Sequence, residues 1–271
     1  MDYKTYMPTE SLITYVRFFW SLENSIEVAP LKSFRAMADG CPGIIFQHPD
    51  YGTFYQKEKA LPQVFLYGQS TKFTELTLNG KMNAIGIYLH PSSLKLIFGL
   101  NPEELTDSCL DVDELSKKSG FSLLEQLYDA KTAKQRIEIL SVFLFLNIKA
   151  NDFNKNEVMA YALSSIMQSG GNIALRELQE QLQMSERTFE RKFKEYIGIT
   201  PKLFTRICRF QSSLNQMRNN TFNKLSDIAF ENDYSDQSHF IRSFREFTGF
   251  SPNQYQSFSK EVVENLSQLN K

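Results

Sequence analysis

The chain has 271 residues, 42% of them hydrophobic and 13% aromatic, with a formal net charge of −1. That length fits two domains with a real core, and so small a net charge says nothing for or against nucleic acid. No apolar run approaches the roughly 18 residues of a membrane helix. The early residues "MDYKTYMPTESL" lack the apolar stretch of a secretory signal, so no membrane partner is expected. Cys41, Cys109 and Cys208 are odd in number, far apart and without CxxC spacing, which argues against a disulfide framework and against a Cys-rich zinc site. A reducing cytoplasm is the expected setting.

Residues 13–90 read as β-rich. "ITYVRFFWSLE", "GIIFQH", "QVFLYGQ", "FTELTLNG" and "MNAIGIYLH" are aromatic and β-branched runs with partial alternation, separated by turn clusters such as "ADGCPG" and "HPDYG". Asp39-Gly40 is a good turn pair and needs no chemistry. His48 and His90 each end a predicted strand before a Pro, so they could meet at one rim, where Asp50 would complete a metal site. No HxH, HExxH or nucleophile-elbow spacing supports that. Neither a metal, a cofactor nor a catalytic residue is expected. Phe18, Trp20, Phe46, Phe65, Tyr67 and Tyr88 count as core, some of them candidates to line an apolar ligand pocket.

From Pro91 the pattern turns helical. "PSSLKLIFG" is a short helix, followed by "SLLEQLYDA" and "TAKQRIEILSVFLFLNIKA". Ile137, Leu140, Leu144 and Ile148 fall at helical spacing in the last of these, as a dimer face or a packing face. "VFLFL" at 142–146 suggests burial on more than one side. The polar "NDFNKN" at 151–156 marks the expected boundary between an N-terminal domain, 1–150, and a C-terminal domain, 154–271. The expected fold class is α+β: a β-rich domain, barrel-like in one arrangement, with trailing helices, then an all-α domain.

The C-terminal half contains a repeat. "SERTFERKFKEYIGITPKLF" at 185–204 aligns without gaps on "DQSHFIRSFREFTGFSPNQY" at 236–255, with Phe, Arg, Phe, Glu, Gly and Pro shared. Ser185 and Asp236 are N-cap types. Phe189, Phe193 and Ile197 form one apolar stripe; Phe240, Phe244 and Phe247 form the other. Arg187 and Arg191, and Ser238, Arg242 and Arg245, fall on the opposite faces. Gly198 and Gly249 fit left-handed stops, and Thr200-Pro201 and Ser251-Pro252 start new helices. Upstream, Leu178 matches Ile228 at an offset of 50 rather than 51, so the second turn is one residue longer. Two short helices with a tight turn, the second carrying an outward basic face, describe a helix-turn-helix. Residues 172–260 carry 13 Lys and Arg against 10 Asp and Glu, a modest local basic excess. A solenoid would also repeat, but needs about three copies or more.

Segment 172–258 resembles the AraC/XylS-type DNA-binding domain, most closely over "IAFENDYSDQSHFIRSFREFTGFSPNQY". The resemblance implies two helix-turn-helix units joined by a long helix at 201–217. It implies a transcription regulator that sets two recognition helices in successive major-groove segments of double-stranded DNA. Carried over, Arg187, Glu190 and Arg191, and Gln237, Ser238, His239 and Arg242, would face bases, while Lys192, Lys194, Lys202 and Arg245 would contact phosphates. Arg209 would be structural. Asp233 stands where the family has Gly. "DGCPGIIF" and "GIYLHP" loosely resemble an N-terminal domain of some members, which implies a half that senses a small molecule or forms a homodimer. Other readings are a helical protein-interaction adaptor and a DNA-binding module fused to an unrecognised catalytic domain.

Overall fold

The computed structural model describes residues 2–24, 32–118, 120–151, 153 and 155–258. Strands β1 (Asp2–Tyr6), β2 (Val16–Asn24), β3 (Lys32–Ala36), β4 (Gly43–Gln47), β5 (Thr53–Gln56), β6 (Lys59–Ala60), β7 (Val64–Tyr67), β8 (Thr74–Asn79), β9 (Met82–Leu89) and β10 (Cys109–Asp111) form two antiparallel sheets. One runs β1-β2-β9-β4-β7-β10, the other β3-β8-β5-β6. The barrel-like closure is therefore absent from the described residues: the strands divide between two sheets.

The reason lies in how side chains alternate. Along β4, Ile44 and Phe46 enter one core while Ile45 enters another; on β7, Val64 and Leu66 oppose Phe65. The central strands β4, β7 and β9 of the six-stranded sheet are buried on both faces, which explains why they read as apolar runs with only partial alternation. One face meets the smaller sheet through Trp20, Leu22, Ile45, Phe54, Phe65 and Leu78. The other is covered by α1 (Ser93–Phe98), α3 (Leu123–Asp129) and α4 (Ala133–Ala150). Trp20 pairs across the ladder with Gly86, where an added Cβ would stand 2.4 Å from the indole.

Thr132 and Gln135 close a capping box at the start of α4. Leu140, Phe143 and Leu144 then bury against the sheet, with Ile137 and Ile148 beside them. The face that spacing offered for dimerisation is thus a packing face. The 142–146 run is also not buried all round, because Val142 is 49% and Leu146 44% exposed. β1, β3, β5, β6, β10, the 3-10 turn Pro102–Leu105 and α2 (Val112–Lys118) are elements that the sequence reading did not pick out one by one.

Beyond the polar 151–156 segment come α5 (Glu157–Gln168), α6 (Leu175–Gln181), α7 (Glu186–Ile197), α8 (Pro201–Arg218), α9 (Leu225–Glu231), α10 (Gln237–Thr248) and α11 (Pro252–Phe258). Their core also takes in Met37, Ala38 and Leu96 from the first half. Gly86→Ala is expected to push the Trp20 indole off its seat and lower stability by about 1–3 kcal/mol, read as a fall in the denaturant midpoint at unchanged m-value.

Candidate nucleic-acid interface

The repeat is a repeat in three dimensions. Helices α6 and α9 are offset by 50 residues, and α7 and α10 by 51, so the extra residue sits in the second turn. The backbone bonds of the two turns correspond. Met184 N donates to Gln179 O at 3.0 Å, and Tyr234 N to Ala229 O at 2.9 Å. Gln183 and Asp233 both adopt left-handed backbone, at φ 53° and 54°. Such a conformation costs a non-glycine residue roughly 1–2 kcal/mol. At the second turn Arg209 of α8 offsets that cost: it donates to Asp233 O at 3.0 Å, to Asp233 Oδ2 at 3.1 Å and to Gly171 O at 3.2 Å. The structural role expected of Arg209 is what the geometry gives it.

Helix α7 starts at Ser185, whose Oγ accepts from Thr188 N, and α10 starts at Asp236, whose carboxylate accepts from His239 N at 2.7 Å. That backbone bond holds the Asp236 pKa below its ordinary value. Phe189, Phe193, Tyr196 and Ile197 are buried on α7; Phe240, Phe244 and Phe247 are buried on α10. Both helices end on left-handed glycines, Gly198 at φ 100° and Gly249 at φ 74°. Joining helix α8 lies between the units. Phe204 packs on Phe193 with ring centroids 5.8 Å apart, and Phe210 packs on Phe244 and Phe247 at 5.6 and 5.1 Å.

This packing leaves one face of each second helix in solvent. Arg187, Glu190 and Arg191 are exposed on α7, and Gln237, Ser238, Arg242 and Arg245 on α10; Lys202 is exposed at the start of α8. Arg191 pairs with Glu195, one turn along, at 3.6 Å, an exposed pair worth little. Three expected contacts look different. His239 is half-buried, its ring edge-on to Tyr234 and its Nδ1 3.2 Å from Ser235 Oγ, so it braces the turn. Lys194 is committed to Glu103 of the N-terminal half at 2.5 Å. Lys192 is half-buried.

The halves meet at the far ends of α7 and α10. A Cβ on Gly198 would lie 2.8 Å from the Pro102 backbone, and one on Gly249 would lie 2.7 Å from Phe73. Thr106 Oγ1 donates to Gly198 O at 3.3 Å, Lys95 pairs with Glu195 at 3.4 Å, and the Arg35 guanidinium stacks 3.8 Å over Phe250. These docking residues escaped the sequence reading; no local pattern marks them.

Other candidate chemistry does not assemble. β4 and β9 are antiparallel neighbours, so their C-terminal ends point opposite ways: His48 N bonds Asn83 O at the start of β9, while His90 bonds Ile13 O beyond its end. The two imidazoles share no rim. No group of three or more His, Cys, Asp and Glu among the described residues could hold a metal. The three cysteines are free thiols. Burial pushes Cys41 up to about 11 and Cys208 to about 12, which keeps both protonated and poor nucleophiles.

Comparison with known proteins places residues 178–257 under a family model described as "Helix-turn-helix domain" and residues 4–111 under one described as "Domain of unknown function (DUF6597)". Uncharacterized HTH-type transcriptional regulators of Staphylococcus aureus, among them those of strains MSSA476 and COL, are 29% identical over 115 residues. The match covers 42% of this chain and 15% of theirs, so the chain spans a small part of the length of these relatives. Among solved structures, ToxT from Vibrio cholerae is similar over 88% of this chain and 98% of its own, at 12% identity and a TM-score of 0.45. The C-terminal domain of AraT, a response regulator from Geobacillus stearothermophilus, is similar over 43% of this chain and 93% of its own, at 22% identity and a TM-score of 0.35.

Arg209→Ala is expected to lower stability by about 1.5–3 kcal/mol by removing charged hydrogen bonds from the second turn. Asp233→Gly, which relieves the left-handed residue and keeps both carbonyl partners of Arg209, should stay within about 1 kcal/mol of the parent. Urea unfolding of both variants checks the contrast.

Proposed function

We propose that this chain, whose C-terminal residues form a helix-turn-helix domain of the AraC type, is a sequence-specific DNA-binding transcription regulator. In this reading α7 and α10 enter successive major-groove segments. The observation that carries it is the doubled unit itself: two superposable helix pairs on one joining helix, each with an exposed, polar, arginine-bearing face. Packing residues are common to both copies, whereas the outward residues differ apart from Arg191 and Arg242 among the base-facing candidates, as two readers of different bases require. Arg187, Glu190 and Arg191 would read one segment and Gln237, Ser238 and Arg242 the other. Arg pairs bidentately with guanine, Gln with adenine, and Glu accepts from cytosine. Lys192, Lys202 and Arg245 suit phosphate contacts, which set register and affinity rather than sequence choice.

The N-terminal half would modulate this activity through a small molecule. Its support is the docking just described, which touches both recognition helices at their C-terminal ends and leaves their outer faces free. The activity belongs to the bacterial cytoplasm, on chromosomal DNA.

Electrophoretic mobility shifts on genomic fragments test the reading. Binding should fall steeply as salt rises from about 50 to 200 mM; no retention at low salt would refute it. Arg191→Ala and Arg242→Ala should each cost about 1–3 kcal/mol and relax preference at one base position. A loss uniform over all sequences would make them phosphate contacts.

A further inference from the structure

Between the two sheets lies a cavity of about 100 Å³, enough for roughly seven to ten non-hydrogen atoms. Its wall includes four aromatic side chains, Trp20, Phe65, Tyr67 and Tyr88, beside aliphatic and small polar residues. The charged side chains lining it, among the described residues, are Asp39 and Asp107, both acidic. Asp107 is occupied by Thr71, accepting from its backbone N at 2.8 Å and its hydroxyl at 2.5 Å. Asp39 accepts from Tyr88 OH at 2.5 Å, from Cys41 N at 2.9 Å and from its own backbone N–H. A carboxylate has about four acceptor positions, so Asp39 retains capacity toward the cavity. Arg17 stands behind the wall, donating to Cys41 Sγ at 3.7 Å with its guanidinium 5.0 Å from the Tyr88 ring.

We propose that this cavity binds a small organic cation, a protonated amine or quaternary ammonium on an apolar frame, with Asp39 as its counter-charge. An anion would meet two carboxylates and no basic side chain on the described wall. A neutral apolar molecule would leave the remaining acceptor position of Asp39 unused, with Arg17 behind the wall as the nearby positive charge. A cation satisfies the carboxylate and lies among ring faces, which attract positive charge. Burial already raises Asp39 to about 6, so its charged form gains most from a cation.

Occupancy has a route to the DNA-binding half. Asp39 is flanked by Ala38 and Gly40, and both touch that half. Ala38 O accepts from Gln211 of α8 at 2.5 Å, and Ala38 N donates to Phe247 O of α10 at 3.4 Å. A Cβ on Gly40 would lie 2.9 Å from Phe204 of α8. The strand end that forms the ligand's counter-charge is thus the one seated on the joining helix. The inference rests on the regulator reading above.

The test uses the full chain and three phenyl probes of about nine to ten non-hydrogen atoms: phenethylamine, 2-phenylethanol and phenylacetate, each titrated by calorimetry with and without operator DNA. Phenethylamine should bind at least tenfold tighter than either analogue. Asp39→Asn should erase that preference while DNA is still bound. Thr74→Trp, which puts an indole at another lining position and leaves the Asp39 carboxylate in place, should weaken amine binding at least tenfold, so the proposal stays testable if Asp39→Asn does not fold. Equal or tighter binding of the alcohol or acid, or no binding of any probe at millimolar concentration, would overturn the site. Amine binding that leaves operator affinity unchanged would overturn the route to DNA. Absence of DNA binding with no probe present would instead count against the regulator reading.

Discussion

Helix α8 buries Phe204, Ile207, Phe210, Leu214 and Met217 between the two helix-turn-helix units, and this seam decides where α7 and α10 can point. Each fully buried aromatic contributes about 1.5–3 kcal/mol by removal from water, and edge-to-face ring pairs add about 0.5–1.5 kcal/mol more. Phe204 serves the first unit and Phe210 the second, so one helix sets both orientations. Neither unit is large enough to bury its own apolar stripe alone. The outward arginines are a consequence: they occupy the sides of α7 and α10 that α8 does not claim.

The same economy governs the junction between the halves. Gly198 and Gly249 end the recognition helices in left-handed conformation, and the N-terminal half approaches each of them too closely for a side chain. One residue thus terminates a helix and admits a neighbour. The ion pairs there, Lys194 with Glu103 and Lys95 with Glu195, are partly exposed and contribute about 0–1 kcal/mol each. Backbone contact, the Arg35 stack and burial of Met37 and Ala38 hold the junction. A junction that rests on short-range packing responds to small displacements of the 36–41 segment.

The C-terminal half was legible in the sequence because its signals are local. Caps, Phe spacing, glycine stops and the one-residue difference between the turns all sit within a few positions of what they control. Even Asp233, the departure from the family pattern, reads correctly once left-handed tolerance is considered. The N-terminal half was less legible because its arrangement depends on pairing. His48 and His90 look equivalent along the chain, and only the antiparallel register of β4 and β9 sends them to opposite ends. The 142–146 run looks buried because apolar spacing does not say how many neighbours a helix has. Asp39 reads as a turn residue; its place in a cavity wall depends on Tyr88, 49 positions away. Lys194 follows the same rule, since its partner Glu103 lies in the other half, whereas His239 is held locally by Tyr234 and Ser235.

Hydroxyl-radical footprinting of the full chain on a retrieved genomic site tests the central claim most directly. Two protected patches on one face of the duplex, about one helical turn or 10–10.5 base pairs apart, should appear. Arg191→Ala should weaken one patch and Arg242→Ala the other. A single patch, or equal loss at both from either variant, would contradict two units reading DNA side by side.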